Sequence, residues 1–300
     1  MRSLCQIKKG LYAEVYNNLQ TFTFYLHRRL VKCPNEGTAK KHTQKEVNMA
    51  LVEVTKIQNC TVLTLNQPEQ RNTLTTQMSG ELIQHINQAE ADENIKSVIV
   101  TGNGPAFCAG ADLGDLLSAG RGEGDQLQQI YAGFLAVANC SLPTIAAING
   151  PAVGAGMNLA LACDVRIMAE SARLDTRFLK IGLHPGGGHT WMLHREVNWQ
   201  AAASMLLFGD VITAEDAVRI GLAWKRVAND DLIEAALEFV KQTGKSSREL
   251  LIRTKASMRE TRWVSHHQDA LDLEFDKQVW SLQQPEAAES LQTMYDKIRR

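Results

Sequence analysis

The sequence predicts a mixed α/β fold of the α+β kind, built from stacked strand–strand–helix turns and finished by a run of helices. Three observations predict it. Short β-branched runs recur in pairs, each pair followed by a stretch with apolar residues at helical spacing. These units follow one another without long linkers, unlike the strand–helix alternation of a doubly wound sheet. From Ala201 onward the pattern is nearly all helical, with no composition break to mark a second independent domain.

The elements follow in order. Val52 to Ile57 and Cys60 to Leu65 are separated by Gln58-Asn59 and read as a hairpin. Thr75 to Ala91 has Leu82, Ile83 and Ile86 at helical spacing, with Thr75 available as cap. Ser97 to Thr101 is a buried strand stopped by Gly102-Asn-Gly104-Pro105. Gln126 to Asn139 reads as helix and Thr144 to Ile148 as another buried strand. Ala155 to Ala162 is a small-residue helix, Asp164 to Ala169 a strand and Arg173 to Asp175 a short edge strand. The last helices carry apolar stripes (Leu271, Phe275, Val279; Leu291, Met294, Ile298) suited to packing on the core or on another subunit.

Composition narrows the class. A 300-residue chain with 44% hydrophobic and 22% charged residues can bury a sizeable core. No apolar run reaches the length of a membrane span. Residues 1–48 hold nine basic and three acidic residues, leaving 23 basic and 30 acidic in 49–300. The acidic remainder argues against a nucleic-acid partner. The basic stretch lacks an apolar signal core and is read as an extension outside the fold, although Leu11 to Leu30 could form a helix. The expected division is therefore 1–48 extension, 49–245 core and 246–300 C-terminal helical region. The six scattered cysteines read as free thiols in a reducing compartment, and no second ligand stands at zinc-site spacing from any of them. The expected location is cytoplasmic, or the mitochondrial matrix if residues 1–48 act as a presequence.

Two glycine-rich segments carry the functional signal. Pro105-Ala-Phe-Cys-Ala-Gly-Ala-Asp-Leu113 follows a strand, so the backbone at Ala111 can offer a free N–H. Thr144-Ile-Ala-Ala-Ile-Asn-Gly-Pro-Ala-Val-Gly-Ala-Gly-Met-Asn-Leu-Ala160 runs from a strand into a helix start, where the first N–H groups lack partners and carry partial positive charge. Neither is a dinucleotide fingerprint, since Leu159 fills the third glycine position, and no phosphate-binding P-loop is present. A glycine-rich turn before a helix more often serves close packing when it stands alone.

Together, the two segments resemble the two oxyanion-hole motifs of the crotonase (enoyl-CoA hydratase/isomerase) superfamily. Leu65-Asn-Gln-Pro-Glu-Gln-Arg-Asn-Thr-Leu74, Ala162-Cys-Asp-Val-Arg-Ile-Met-Ala169, Gly209-Asp-Val-Ile-Thr-Ala-Glu-Asp-Ala217 and Ile220-Gly-Leu222 also match, in the family's order over residues 50 to about 228. The resemblance implies a stacked ββα superhelix, an acyl-coenzyme A thioester as substrate, and the amides of Ala111 and Ala155 as its oxyanion donors. It implies coenzyme A contacts at Arg71 and Asn72 and along the backbone of Ala109, Gly110 and Asp112. It also implies no cofactor beyond the coenzyme A moiety, and a trimer or hexamer through the helical C-terminus.

The catalytic carboxylates of that family are missing. Hydratases place one glutamate inside the second oxyanion helix and another after the edge strand. Here those positions are Asn158 and Phe178. The candidates that remain are Asn158 itself, His184 on the loop expected to face the acyl group, and Asp175. His184 is the best single acid–base candidate because it titrates in the useful range. Asp175 invites an ion pair with Arg173 or Arg177 more than catalysis. His189 starts the next helix and reads as a cap or packing residue. The five-residue steps from His184 to His189 to His194 do not share a helical face, which argues against a metal. The expected activity is enolate chemistry on an acyl-CoA, with ordinary fast hydration weak or absent. The alternatives are a decarboxylase or thioester hydrolase of the same fold, or a non-catalytic acyl-CoA binding protein.

Overall fold

A computed structural model of the chain describes residues 50–122 and 124–299. The helix anticipated between Leu11 and Leu30, and any presequence, lie outside the described residues. The strands in chain order are β1 (Val52–Ile57), β2 (Cys60–Leu65), β3 (Ser97–Gly102), β4 (Thr144–Ile148), β5 (Ala152–Val153), β6 (Val165–Ala169), β7 (Arg173–Asp175), β8 (Ile212–Thr213) and β9 (Lys225–Val227). The α-helices are α1 (Thr76–Ala91), α2 (Leu113–Gly120), α3 (Asp125–Asn139), α4 (Ala155–Ala162), α5 (His189–Glu196), α6 (Trp199–Leu207), α7 (Ala214–Arg219), α8 (Leu232–Val240), α9 (Arg248–Thr261), α10 (His267–Leu282) and α11 (Pro285–Ile298).

Six strands form one sheet in the order β1-β2-β3-β4-β6-β9. The β1–β2 hairpin is antiparallel, turning through Gln58 at φ 53, and every later pairing is parallel. Parallel strands are covered on both faces, so they read as continuous apolar runs rather than alternating ones. Accordingly β4 is buried at all five residues and β3 at five of its six. Helix α1 begins where the Thr75 hydroxyl accepts from Met78 N at 3.1 Å, and buries Met78, Leu82 and Ile86. A second sheet, β5-β7-β8, is small but decides the site, because it ties the chain after β4 to the chain after β6.

Beyond Ala201 the chain is less uniformly helical than the sequence predicts. β8 and β9 interrupt it, and β9 pairs with β6 at the edge of the main sheet. Runs of two and three residues are too short to leave a period in the sequence. Helix α9 is held to the core by polar clips. Buried Lys255 donates to Leu142 O at 2.7 Å and pairs with Asp164 at 2.5 Å, while Asp164 also accepts from Thr144 N at the start of β4. Helices α10 and α11 bury no residue, and Leu271, Phe275, Leu291, Met294 and Ile298 of the anticipated stripes stand exposed. The four described cysteines, Cys60, Cys108, Cys140 and Cys163, are free and buried.

Candidate active site

The site forms where two chain segments leave parallel neighbours β3 and β4. The segment after β3 lies beside the one after β4: Cys108 N donates to Pro151 O at 3.2 Å, and Val153 N donates to Cys108 O at 3.0 Å. On its other side the first segment meets the loop after β2. Leu74 N donates to Gly110 O at 2.7 Å and Asp112 N donates to Leu74 O at 3.1 Å. Since both neighbours of Ala111 turn toward Leu74, pleat alternation turns the Ala111 N–H the opposite way. Ala155 is the first residue of α4 and 7% exposed, so its N–H has no intrahelical acceptor. Neither amide has a hydrogen-bond acceptor among the described residues.

Two glycines make this approach possible. Gly110 sits at φ 116, and a Cβ there would stand 3.1 Å from Val153 O. At Gly156 the clearance is far smaller, since a Cβ would fall 2.2 Å from Cys108 O. The register between the two amide-bearing segments therefore requires glycine at 156.

Beside these segments lies a cleft of about 430 Å³ lined by Arg71, Ala106, Ala109, Pro151, Val153 and Arg177. Arg71, exposed at φ 52, anchors the first segment through its carbonyl, which accepts from Ala109 N at 2.9 Å. Asn72 is different. It is fully buried, its Oδ1 accepts from Gln67 N, and its Nδ2 donates to Asn103 O and Ala106 O, all at 2.9 Å. Its side chain braces the loop, with both Nδ2 protons spent and no surface exposed to a ligand. The Asp112 carboxylate is likewise engaged, capping α2 by accepting from Asp115 N at 3.1 Å.

The candidate acid–base residues divide. Asp175 is buried and accepts from Arg177 N at 2.9 Å and Arg177 Nε at 2.8 Å, with Lys180 Nζ at 3.5 Å. The ion-pair reading thus finds its partner in Arg177, whereas Arg173 donates to the carbonyls of Glu170 and Ala172. His184 is exposed, its Nδ1 lies 2.8 Å from Pro185 O, and it has no hydrogen bond to Asn158 or Asp175. Asn158 is 1% exposed, one turn beyond Ala155 on the same face of α4. Its Nδ2 donates to Gly186 O at 3.1 Å, which leaves Oδ1 to accept from His189 Nδ1 at 2.5 Å.

His189 is the residue the sequence candidates lack. Its ring is fully buried, stands edge-on to Phe178 with centroids 5.0 Å apart, and leaves Nε2 without a partner among the described residues. Burial away from water pushes its pKa down to about 4. The imidazole is therefore neutral at physiological pH, with the proton on Nδ1 and the lone pair on Nε2. It touches both positions at which hydratases of the resembled family carry a carboxylate. Five-residue histidine spacing on a glycine-rich loop gives no hint of that contact, which depends on how the loop folds back over α4.

Unpaired backbone donors beside a cleft with two arginines suit a ligand that presents a polarised carbonyl and anionic groups. Comparison with known proteins gives the class a family. Residues 55–299 match the enoyl-CoA hydratase/isomerase family model. A probable enoyl-CoA hydratase of Mycobacterium tuberculosis, EchA14, is 48% identical over 239 residues, covering 77% of this chain and 91% of the relative. The 2,3-dehydroadipyl-CoA hydratase of Escherichia coli K12 is 34% identical, over 72% of this chain and 85% of that protein. Among solved structures, an enoyl-CoA hydratase from Polaromonas sp. JS666 superposes with a TM-score of 0.77 at 29% identity, covering 82% of this chain and 97% of that one. The chain belongs to the enoyl-CoA hydratase/isomerase family, and its fold is the crotonase fold. Among the described residues no helix is long and apolar enough to cross a membrane.

Proposed function

We propose that the protein is an acyl-CoA enzyme that works through a thioester enolate, whose oxygen is held by the amides of Ala111 and Ala155. One observation carries the reading: two N–H groups without acceptors lie on chain segments stitched to each other at Cys108, Pro151 and Val153. Backbone donors fixed in this way act on charge that develops during reaction, and each is worth roughly 100- to 1,000-fold in rate. The relatives' names fit, since 2,3-dehydroadipyl-CoA hydratase and 1,2-epoxyphenylacetyl-CoA isomerase both name CoA thioesters. Arg71 brings positive charge to the cleft, where the phosphates of coenzyme A would lie, while Arg177 beside it is paired to Asp175.

Hydration of crotonyl-CoA by this protein is expected to be slower than in hydratases that carry both carboxylates, because Asn158 cannot take a proton and Phe178 has none to give. A second reading, a binding protein without turnover, is favoured by Asn158 being buried and bonded to Gly186 and His189. Decarboxylation, which needs the enolate stabilised but no strong base, and thioester hydrolysis complete the panel. Self-association as a trimer or hexamer through the exposed apolar side chains of α10 and α11 belongs to the same proposal and is read by sedimentation. The deciding experiment incubates the purified protein in D₂O with butyryl-, crotonyl-, 3-hydroxybutyryl- and malonyl-CoA. Deuterium entering the α-carbon supports the enolate; binding without exchange or turnover supports the second reading. No affinity for any CoA ester refutes both.

A further inference from the structure

Resting on the acyl-CoA reading, we infer that His189 Nε2, oriented through Asn158, is the group that takes and returns the proton in this site. Asn158 Nδ2 is committed to Gly186 O, so Oδ1 faces His189 and can only accept. The proton therefore resides on Nδ1 and the free lone pair on Nε2. That acceptor is fully buried and unpaired among the described residues. Leaving a buried acceptor unmade is unfavourable, and each such group in a native structure calls for an occupant or a role.

Position supplies the role. Asn158 lies one helical turn from the Ala155 amide, and His189 is bonded to Asn158 while its ring edge meets Phe178. Phe178 is half-buried on the turn after β7, and the loop over the imidazole contains Gly186, Gly187 and Gly188. Because the imidazole is fully buried, that side chain or loop must move before an acyl group reaches Nε2. The ring meets Asn158 of α4 and Phe178 of the turn after β7, while the Tyr131 hydroxyl of α3 lies against Gly186 and Lys180 of the same turn is paired to Asp175. On its own helix the other charged groups are Arg195 and Glu196, of which Arg195 stacks on Trp191 and Trp263. Among the described residues no carboxylate is hydrogen-bonded to the imidazole, consistent with its being held neutral.

The chemistry balances with this one group. In adding water to an enoyl thioester, the water oxygen bonds to the β-carbon and one water proton passes to Nε2. The π pair of the carbon–carbon bond moves toward the carbonyl, leaving negative charge on the thioester oxygen at the two amides. The imidazolium then returns its proton to the α-carbon and the carbonyl re-forms. Asn158 acts as a positioning residue, since it holds the tautomer without supplying charge.

The test compares wild type with His189→Gln and Asn158→Asp. Calorimetric binding of butyryl-CoA, α-proton exchange in D₂O and crotonyl-CoA hydration are followed from pH 4 to 9, with thermal melts to verify folding. The expected result is His189→Gln binding within a few-fold of wild type with kcat lowered about 100-fold or more. Asn158→Asp, which places a carboxylate on the imidazole, moves the acidic limb of the kcat profile to higher pH. A folded His189→Gln with unchanged kcat, or an acidic limb that Asn158→Asp leaves in place, overturns the inference. If His189→Gln does not fold, NMR of the wild-type imidazole decides: His189 ring signals that do not respond to butyryl-CoA overturn the inference. Wild-type protein that binds the ester but neither exchanges nor hydrates overturns this inference and leaves the binding reading standing. Absence of binding overturns the reading beneath it.

Discussion

Gly156→Ala tests the joint between the two amide-bearing segments directly. A Cβ at 156 would stand 2.2 Å from Cys108 O, 2.8 Å from Cys108 C and 2.8 Å from Cys108 Cβ, against a limit near 3.0 Å for such contacts. The segments must therefore part by at least 0.8 Å, the difference between 3.0 and 2.2 Å. Both obstructing atoms nearest the new carbon belong to backbone hydrogen-bonded to Val153, so the movement falls on the Cys108–Val153 bond and on the path to Ala111. Overpacking of this kind costs about 1–3 kcal/mol, or roughly 2–12 °C in Tm for a domain this large. A misplacement near 1 Å in a preorganised site costs about 100-fold in rate. The expected outcome is a folded protein, melting a few degrees lower, whose α-proton exchange falls about 100-fold. Gly80→Ala is the control: Gly80 lies inside α1 with nothing within 4 Å of the added carbon, so that substitution stabilises by about 0.5–1 kcal/mol and leaves exchange unchanged. Calorimetry reads the first effect and NMR of the acyl-CoA the second. Wild-type exchange in Gly156→Ala would refute the claim that the two amides act on one oxygen.

Three further outcomes follow from the same contacts. His189 has a folded pKa near 4 against 6.5 unfolded, so only the unfolded chain binds this proton between those values; stability is full above pH 6.5 and falls by about 3 kcal/mol as pH drops to 4, and urea melts of His189→Gln lose that slope. Asn72→Ala frees Gln67 N, Asn103 O and Ala106 O and places alanine at φ 55, lowering stability by about 2–4 kcal/mol by urea melt, whereas a direct ligand contact would lower affinity at unchanged stability. Arg71→Ala weakens binding of coenzyme A esters roughly tenfold at unchanged Tm, by calorimetric titration, because its exposed guanidinium lines the cleft while its backbone bond to Ala109 survives the change.

The positions of the core strands along the chain, the hairpin and the two glycine-rich segments were legible because each rests on local rules. Continuous apolar runs mark strands covered on both faces, and glycine marks a backbone that must come close to another. The short strands β8 and β9 were not legible, since their pairing to β7 and β6 is supplied by distant chain. Within the site, the same division holds. The amides of Ala111 and Ala155 belong to the main chain, so the family resemblance of the two motifs singles them out as candidates without reference to side-chain packing. Side-chain roles depend on what each atom meets after folding. Asn72 looks like a ligand contact in the sequence, yet three hydrogen bonds consume it. His184 and His189 share one loop and one residue type. One is left in solvent, while the other is buried against Asn158 with a free lone pair. Replacing a carboxylate by Asn158 removes a base in the sequence, but in the fold that amide fixes the tautomer of a neighbouring imidazole. The loss of two glutamates is therefore compatible with a site that still moves a proton, through a group whose position only the folded loop reveals.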